Sequence, residues 1–176
     1  GLDVNIVYGM KGRTVGREAI IRGETTIDYQ TTASYLKHVN PLVENNEMIP
    51  LMTWGSVING QITRDPNFPD LPSFVEVYEK VIENKNKEAF DAWQVLFNAG
   101  FATQKFIVLP KSASDDVVKS WIKASAQIVN DLETMRVINK KLGNYKQIID
   151  ENLDTALRKA STLNGPTYEY FSSWME

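Results

Sequence analysis

Between Val4 and Tyr29 the apolar residues change period twice, and few folds accommodate that order. Val4, Ile6 and Tyr8 alternate with Asn5 and Val7, the period of two that marks a half-buried strand, and the run ends at Gly9. Gly12 frees the backbone for a turn, Thr14 is the expected N-cap, and Val15, Ala19 and Ile20 mark one stripe of a short helix. Gly23 supplies a left-handed exit. Ile27 and Tyr29 then share one face of a second strand across Asp28, with Gln30, Thr31, Thr32 and Ser34 at its end. The expected unit is strand, turn, helix, strand.

A unit of this kind aims the free N–H groups of the helix start at the mouth of the turn, where the helix dipole also favours anions. Lys11, Arg13 and Arg17 add positive charge there, so a carboxylate or a phosphate is the natural guest. Glycines at 9, 12 and 16 match neither the dinucleotide fingerprint nor the phosphate-loop pattern. By spacing alone, an ordinary βα connection with solvated charges is the favoured reading. The candidate ligand-binding residues are Lys11, Gly12, Arg13 and Thr14 at the helix start, and Asp28, Gln30 and Thr31 at the neighbouring strand end. Asp28 either accepts from a ligand hydroxyl or a bound water, or fixes the turn. The second role is favoured, since a bare carboxylate beside an anionic ligand repels it.

Composition narrows the chemistry. A formal charge of -3 over 176 residues argues against nucleic acid as a partner. The absence of cysteine excludes disulfides, thiolate zinc sites and cysteine nucleophiles, and suits an exported protein. His38 is the only histidine, with no second histidine or cysteine to make a zinc set, so it reads as a helix-surface residue and neither a metal nor a cofactor is expected. There is no Gly-x-Ser-x-Gly elbow, and no carboxylate pair is singled out by its spacing, so the chain does not read as an enzyme. The longest apolar runs, Ile49 to Met52 and Phe106 to Leu109, are far too short to cross a bilayer. The chain opens on Gly1 without a visible signal peptide, which reads either as an excerpt from a longer precursor or as the remnant of a tag, so targeting information is expected to be missing from it.

Further along, Ala33 to Val39 predicts a helix stopped by Asn40-Pro41. Met48 to Trp54 predicts a strand that Pro50 confines to an edge or to a strand start. RDPNFPDLPSF reads as an ordered connector in which Asp65 and Asp70 begin turns, Arg64 can form a salt bridge within the connector, and Phe68, Leu71 and Phe74 tuck inward. Ser73 and Glu76 form a capping box for a helix striped by Phe74, Val77, Tyr78 and Val81. A helix from Ala89 to Asn98 carries Phe90, Trp93, Leu96 and Phe97 and ends at Gly100. Phe106 to Leu109 predicts a buried strand closed by Pro110.

Ser112 with Asp115 opens a helix carrying Val118, Trp121, Ile122 and Val129, and a helical run through Leu132, Met135 and Ile138 stops at Gly143. Ile148 and Ile149 mark a short apolar element. Leu153, Ala156, Leu157 and Ala160 predict a helix that Asn164, Gly165 and Pro166 interrupt, and the aromatic tail of Tyr168, Tyr170, Phe171 and Trp174 docks on the body. The expected core holds Phe90, Trp93, Phe97, Phe106, Val108, Val118, Trp121 and Ile122. The pattern is α/β.

Three stretches together resemble the solute-binding receptors of tripartite tricarboxylate transporters, the TctC-like or Bug family. YGMKG, a helix and RGETTIDY resemble its strand, glycine turn, helix and strand. RDPNFPDLPSFVEV is similar to an arginine-bearing link ending in P-D-V-P-T-F-x-E, with leucine for valine and serine for threonine. FIVLPKSASDDVVKSWIKASAQIVNDLETMRVINKKLG resembles a strand, a proline turn and two helices closing at glycine. Ala113 stands where the family often has proline, Leu132 replaces the proline after aspartate, and Thr25-Thr26-Ile27-Asp28 replaces a valine-aspartate step.

The resemblance matches only the C-terminal part of such a receptor. It implies a type II periplasmic binding-protein fold, incomplete at its N-terminus, with two α/β lobes joined by crossing strands and the ligand between them. Residues 1–46 would belong to the second lobe and carry the ligand turn. Residues 47–176 would supply the crossover and the remaining α/β segments, with the C-terminal helices packing on the first lobe. The implied function is periplasmic or otherwise extracytoplasmic capture of a small carboxylate-bearing ligand for delivery to membrane transporter subunits, without catalysis. Incomplete lobe edges would favour self-association. Two other readings stay open: the ligand-sensing module of a regulator, and an enzyme acting on a phosphorylated or carboxylated substrate at the same turn.

Overall fold

A computed structural model describes residues 4–58, 61–102, 105–149, 153–154, 157–158 and 161–175. The chain is mixed α/β with helix dominant, and among the described residues the sheet is a single antiparallel pair. Its contacts group into two units, Gly1–Ile49 and Pro50–Glu176.

The first unit holds helix α1 (Arg13–Ile21), a short helix α2 (Thr32–Ser34), a π-helical turn (Tyr35–Val39) and helix α3 (Asn40–Glu44). Gly23 ends α1 as the sequence predicts. At φ 74 it donates its N–H to Ile20 O at 3.0 Å while Glu24 N–H reaches Ala19 O at 2.9 Å, the paired bonds of a Schellman motif. Ala19, fully buried on the α1 stripe, and Val39 are the buried apolar side chains here.

The strands and the proline stop expected in this unit are not found. Residues 4–8 and 27–29 form no strand, and Ile6, Tyr8 and Ile27 are exposed. Alternation states only which face would be apolar if a ladder existed, and no described segment supplies that ladder. Pro41 does not stop the helix either. Asn40 stays helical at φ -52, ψ -43, and its N–H reaches back five residues to Tyr35 O. The wider π-turn absorbs the extra residue and places Pro41 in the first turn of α3, where a missing N–H costs nothing.

In the second unit, β1 (Ser56–Ile58) and β2 (Gln61–Thr63) pair antiparallel with Ser56 opposite Thr63. The predicted strand over 48–54 shrinks to one parallel bridge, Thr53 with Ser73, where Thr53 N–H donates to Pro72 O and Phe74 N–H to Thr53 O. Ile49 and Leu51, on either side of Pro50, are exposed. The connector that follows is ordered as expected. Arg64 Nε pairs with Glu76 Oε1 at 3.0 Å and its Nη1 donates to Pro69 O. Asp65 is buried; it accepts from Asn67 N–H, and Tyr145 Oη donates to its other oxygen at 2.6 Å.

Helix α4 (Phe74–Val81) starts with the predicted capping box: Ser73 Oγ accepts from Glu76 N–H while Ser73 N–H donates to Glu76 Oε2 at 2.8 Å. The bond from Ser73 N–H, with help from Arg64, holds the Glu76 carboxyl below its ordinary value. A depressed folded-state value means that this contribution to stability is present above the unfolded-state pKa and is lost as pH falls through the folded one. Glu76→Gln should therefore flatten the acid limb of a stability-versus-pH curve measured by urea melts. An unchanged acid limb would show that the carboxylate does not titrate with unfolding.

Helix α5 (Lys87–Phe97) starts at Asn86, whose Oδ1 accepts from Ala89 N–H at 2.9 Å. It does not end at Gly100. A π-helical turn (Asn98–Ala102) carries the chain through, because Gly100 does not take the left-handed conformation that would stop it. The α5 face builds an aromatic row with Phe74 to Trp93 at 4.3 Å, Trp93 to Phe97 at 5.3 Å and Phe97 to Phe101 at 5.8 Å. Trp54 joins it at 5.4 Å from Phe74.

Helices α6 (Asp115–Asn130) and α7 (Leu132–Leu142) pack on each other and meet at Asp131, whose carboxylate accepts from Thr134 N–H. α7 stops at Gly143, φ 97, as expected. Helix α8 (Gly165–Met175) packs on α5, so the tail docks, although Tyr168 faces outward. The preceding helix is interrupted at 162–164 as expected, and Asn164-Gly165-Pro166 also forms the start of α8. Asn164 Oδ1 accepts from Thr167 N–H, and Pro166 occupies the first turn, where no N–H is required.

The predicted core divides. Phe97 is buried and Phe90 and Trp93 are partly buried, but Val118, Trp121, Ile122, Phe106 and Val108 are exposed, the last at 73%. Residues 106–109 and 148–149 form no regular element, so the buried strand at 106–109 is not present. Leu153 and Leu157 are helical, while Ala156, Ala160 and the side chain of Trp174 lie outside the described residues.

Candidate functional site

The start of α1 is set by Gly12, whose φ of 141 lets the chain enter the helix from an extended approach. Gly12 thus takes the N-cap position predicted for Thr14. Thr14 is the second helical residue, exposed, and its hydroxyl caps nothing. Val15 and Gly16 both donate to Gly12 O, at 3.1 and 3.3 Å. The N–H groups of Arg13 and Thr14 come before those bonds and meet no acceptor among the described residues. Lys11 and Arg13 flank them, exposed, and neither pairs with a carboxylate among the described residues.

Segment 28–30 lies against this helix. Gln30 Nε2 donates to Arg13 O at 2.9 Å and to Asp28 Oδ2, and Gln30 Oε1 accepts from Ser34 Oγ at 2.6 Å. Arg17 Nη1 reaches Gln30 Oε1 and Ser34 Oγ at 3.4 and 3.5 Å. Asp28 Oδ1 sits where a side chain on residue 16 would begin, 2.8 Å from an ideal Cβ there, so Gly16 is what allows the close approach. The Arg13 guanidinium lies over the Tyr29 ring, 5.4 Å from its centroid. Burial pushes the Tyr29 hydroxyl up, opposed by the lowering effect of Arg13. Thr31 precedes α2 with φ -72, ψ 154, and its carbonyl accepts from Tyr35 N–H at 2.8 Å.

Six of the seven predicted residues, Gly12, Arg13, Thr14, Asp28, Gln30 and Thr31, fall at the two neighbouring stretches, with Lys11 at the edge. Sequence reasoning missed Gly16 as the contact for Asp28, and Ser34 as the partner that orients Gln30. The glycine within the helical stripe was the available signal for the first. No group of three metal-ligating side chains occurs among the described residues. An open hollow lined by Lys123, Ala126, Gln127, Asn130 and Asp131 lies at the α6–α7 junction and contains none of the predicted residues.

Compared with protein-family models, curated proteins and solved structures, the chain matches none.

Proposed function

We propose that this chain is part of an extracytoplasmic solute-binding receptor of the tripartite tricarboxylate type, and that the start of α1 receives a carboxylate of its small organic-acid ligand. The observation that carries the binding reading is the pair of N–H groups on Arg13 and Thr14 that meet no acceptor among the described residues, between two cationic side chains that have no carboxylate partner among those residues. Asp28 supports it in a structural role. Its carboxylate is engaged by Gln30 and closes over Gly16, so it fixes the turn. The type II bilobal fold, the transporter partner and the periplasmic location rest on the sequence motifs alone. No chemistry is required of the site, because presenting a solute needs only capture and release.

Calorimetry on the full-length receptor with a small panel of di- and tricarboxylates tests the reading. Losing one hydrogen bond to a charged group costs about 1.5–3 kcal/mol, so Thr14→Val should weaken the best ligand by roughly ten- to a hundredfold if the hydroxyl joins the N–H groups on the carboxylate. An unchanged affinity with the fold intact would remove the Thr14 side chain from the site. Absence of binding by every carboxylate at millimolar concentration would overturn the function.

Self-association belongs to the same proposal, since Phe106, Ile107 and Val108 form an exposed apolar run with no ladder partner among the described residues. Sedimentation should show concentration-dependent association that Val108→Lys suppresses. A monomer at every concentration would rule it out.

A further inference from the structure

We draw no further inference here: the strongest candidate, the exposed apolar stripe of Val118, Trp121, Ile122 and Ile128 along α6, carries nothing because nothing in the structure shows what covers it.

Discussion

Phe97→Ala should destabilise the second unit by about 3–5 kcal/mol, the range for removing a buried aromatic ring from a core that cannot collapse around the gap. Phe97 is 2% exposed and lies between Trp93 and Phe101, stacked on both, so its deletion removes apolar burial and two ring contacts together. Urea unfolding followed by tryptophan fluorescence would read the loss, since Trp54 and Trp93 belong to the same row. Val108→Ala is the matched comparison. That side chain is 73% exposed, and its truncation should change stability by less than about 0.5 kcal/mol. Equal effects of the two substitutions would contradict the placement of the core along α5.

Gly55→Ala should be nearly as damaging, for a different reason. Gly55 sits at φ 90, a backbone conformation that costs an ordinary residue about 1–2 kcal/mol. An added methyl would also lie 2.6 Å from the Thr63 carbonyl oxygen, 2.8 Å from Ile62 Cγ2 and 3.3 Å from Ser73 Cβ. Backbone supplies the nearest of these contacts, so the strain cannot be relieved by a side-chain rotation, and overpacking of this kind costs about 1–3 kcal/mol more. Thermal melts should show Gly55→Ala well below the parent. Gly100→Ala, with nothing within 4 Å of its Cβ and a negative φ, should be neutral or slightly stabilising. A Gly55→Ala protein as stable as its parent would mean that residues 53–55 do not run between β2 and the start of α4.

Helix boundaries were legible where a single short-range device fixes them. Ser73 and Glu76 close a capping box three residues apart, and Gly23 and Gly143 take the positive φ that releases a helix. These depend on backbone geometry within one turn, which residue type largely dictates. Pro41 and Gly100 were misread because each has two local solutions. A proline can stop a helix or enter its first turn, and a glycine can leave the helical region or remain in it. In both places a π-helical turn carries the chain through.

The candidate site was half legible. Cationic residues around Gly12 and a polar group at 28–31 are visible in sequence, and they lie together in the structure. The clamp itself was not. Gln30 reaches the Arg13 carbonyl across 17 residues, and which polar side chain makes that bond depends on how the chain closes rather than on any local pattern. Thr14 shows the same limit on a smaller scale, since a shift of two residues at the helix start gave the cap to Gly12.

By itself, then, the sequence determined where most of the longer helices lie, the helix stops at Gly23 and Gly143, the ordered connector at 64–74 and the grouping of charge at the start of α1, because each follows from neighbours within a few residues. The tertiary structure decided strand formation and burial. A period of two at 4–8, a continuous apolar run at 106–109 and the stripe of α6 all describe surfaces able to be buried, but burial needs a partner surface, and hydrophobic stabilisation follows only the area that a partner removes from water. Phe97 meets that partner in Trp93 and Phe101, while Val108, equally apolar in the sequence, stays exposed.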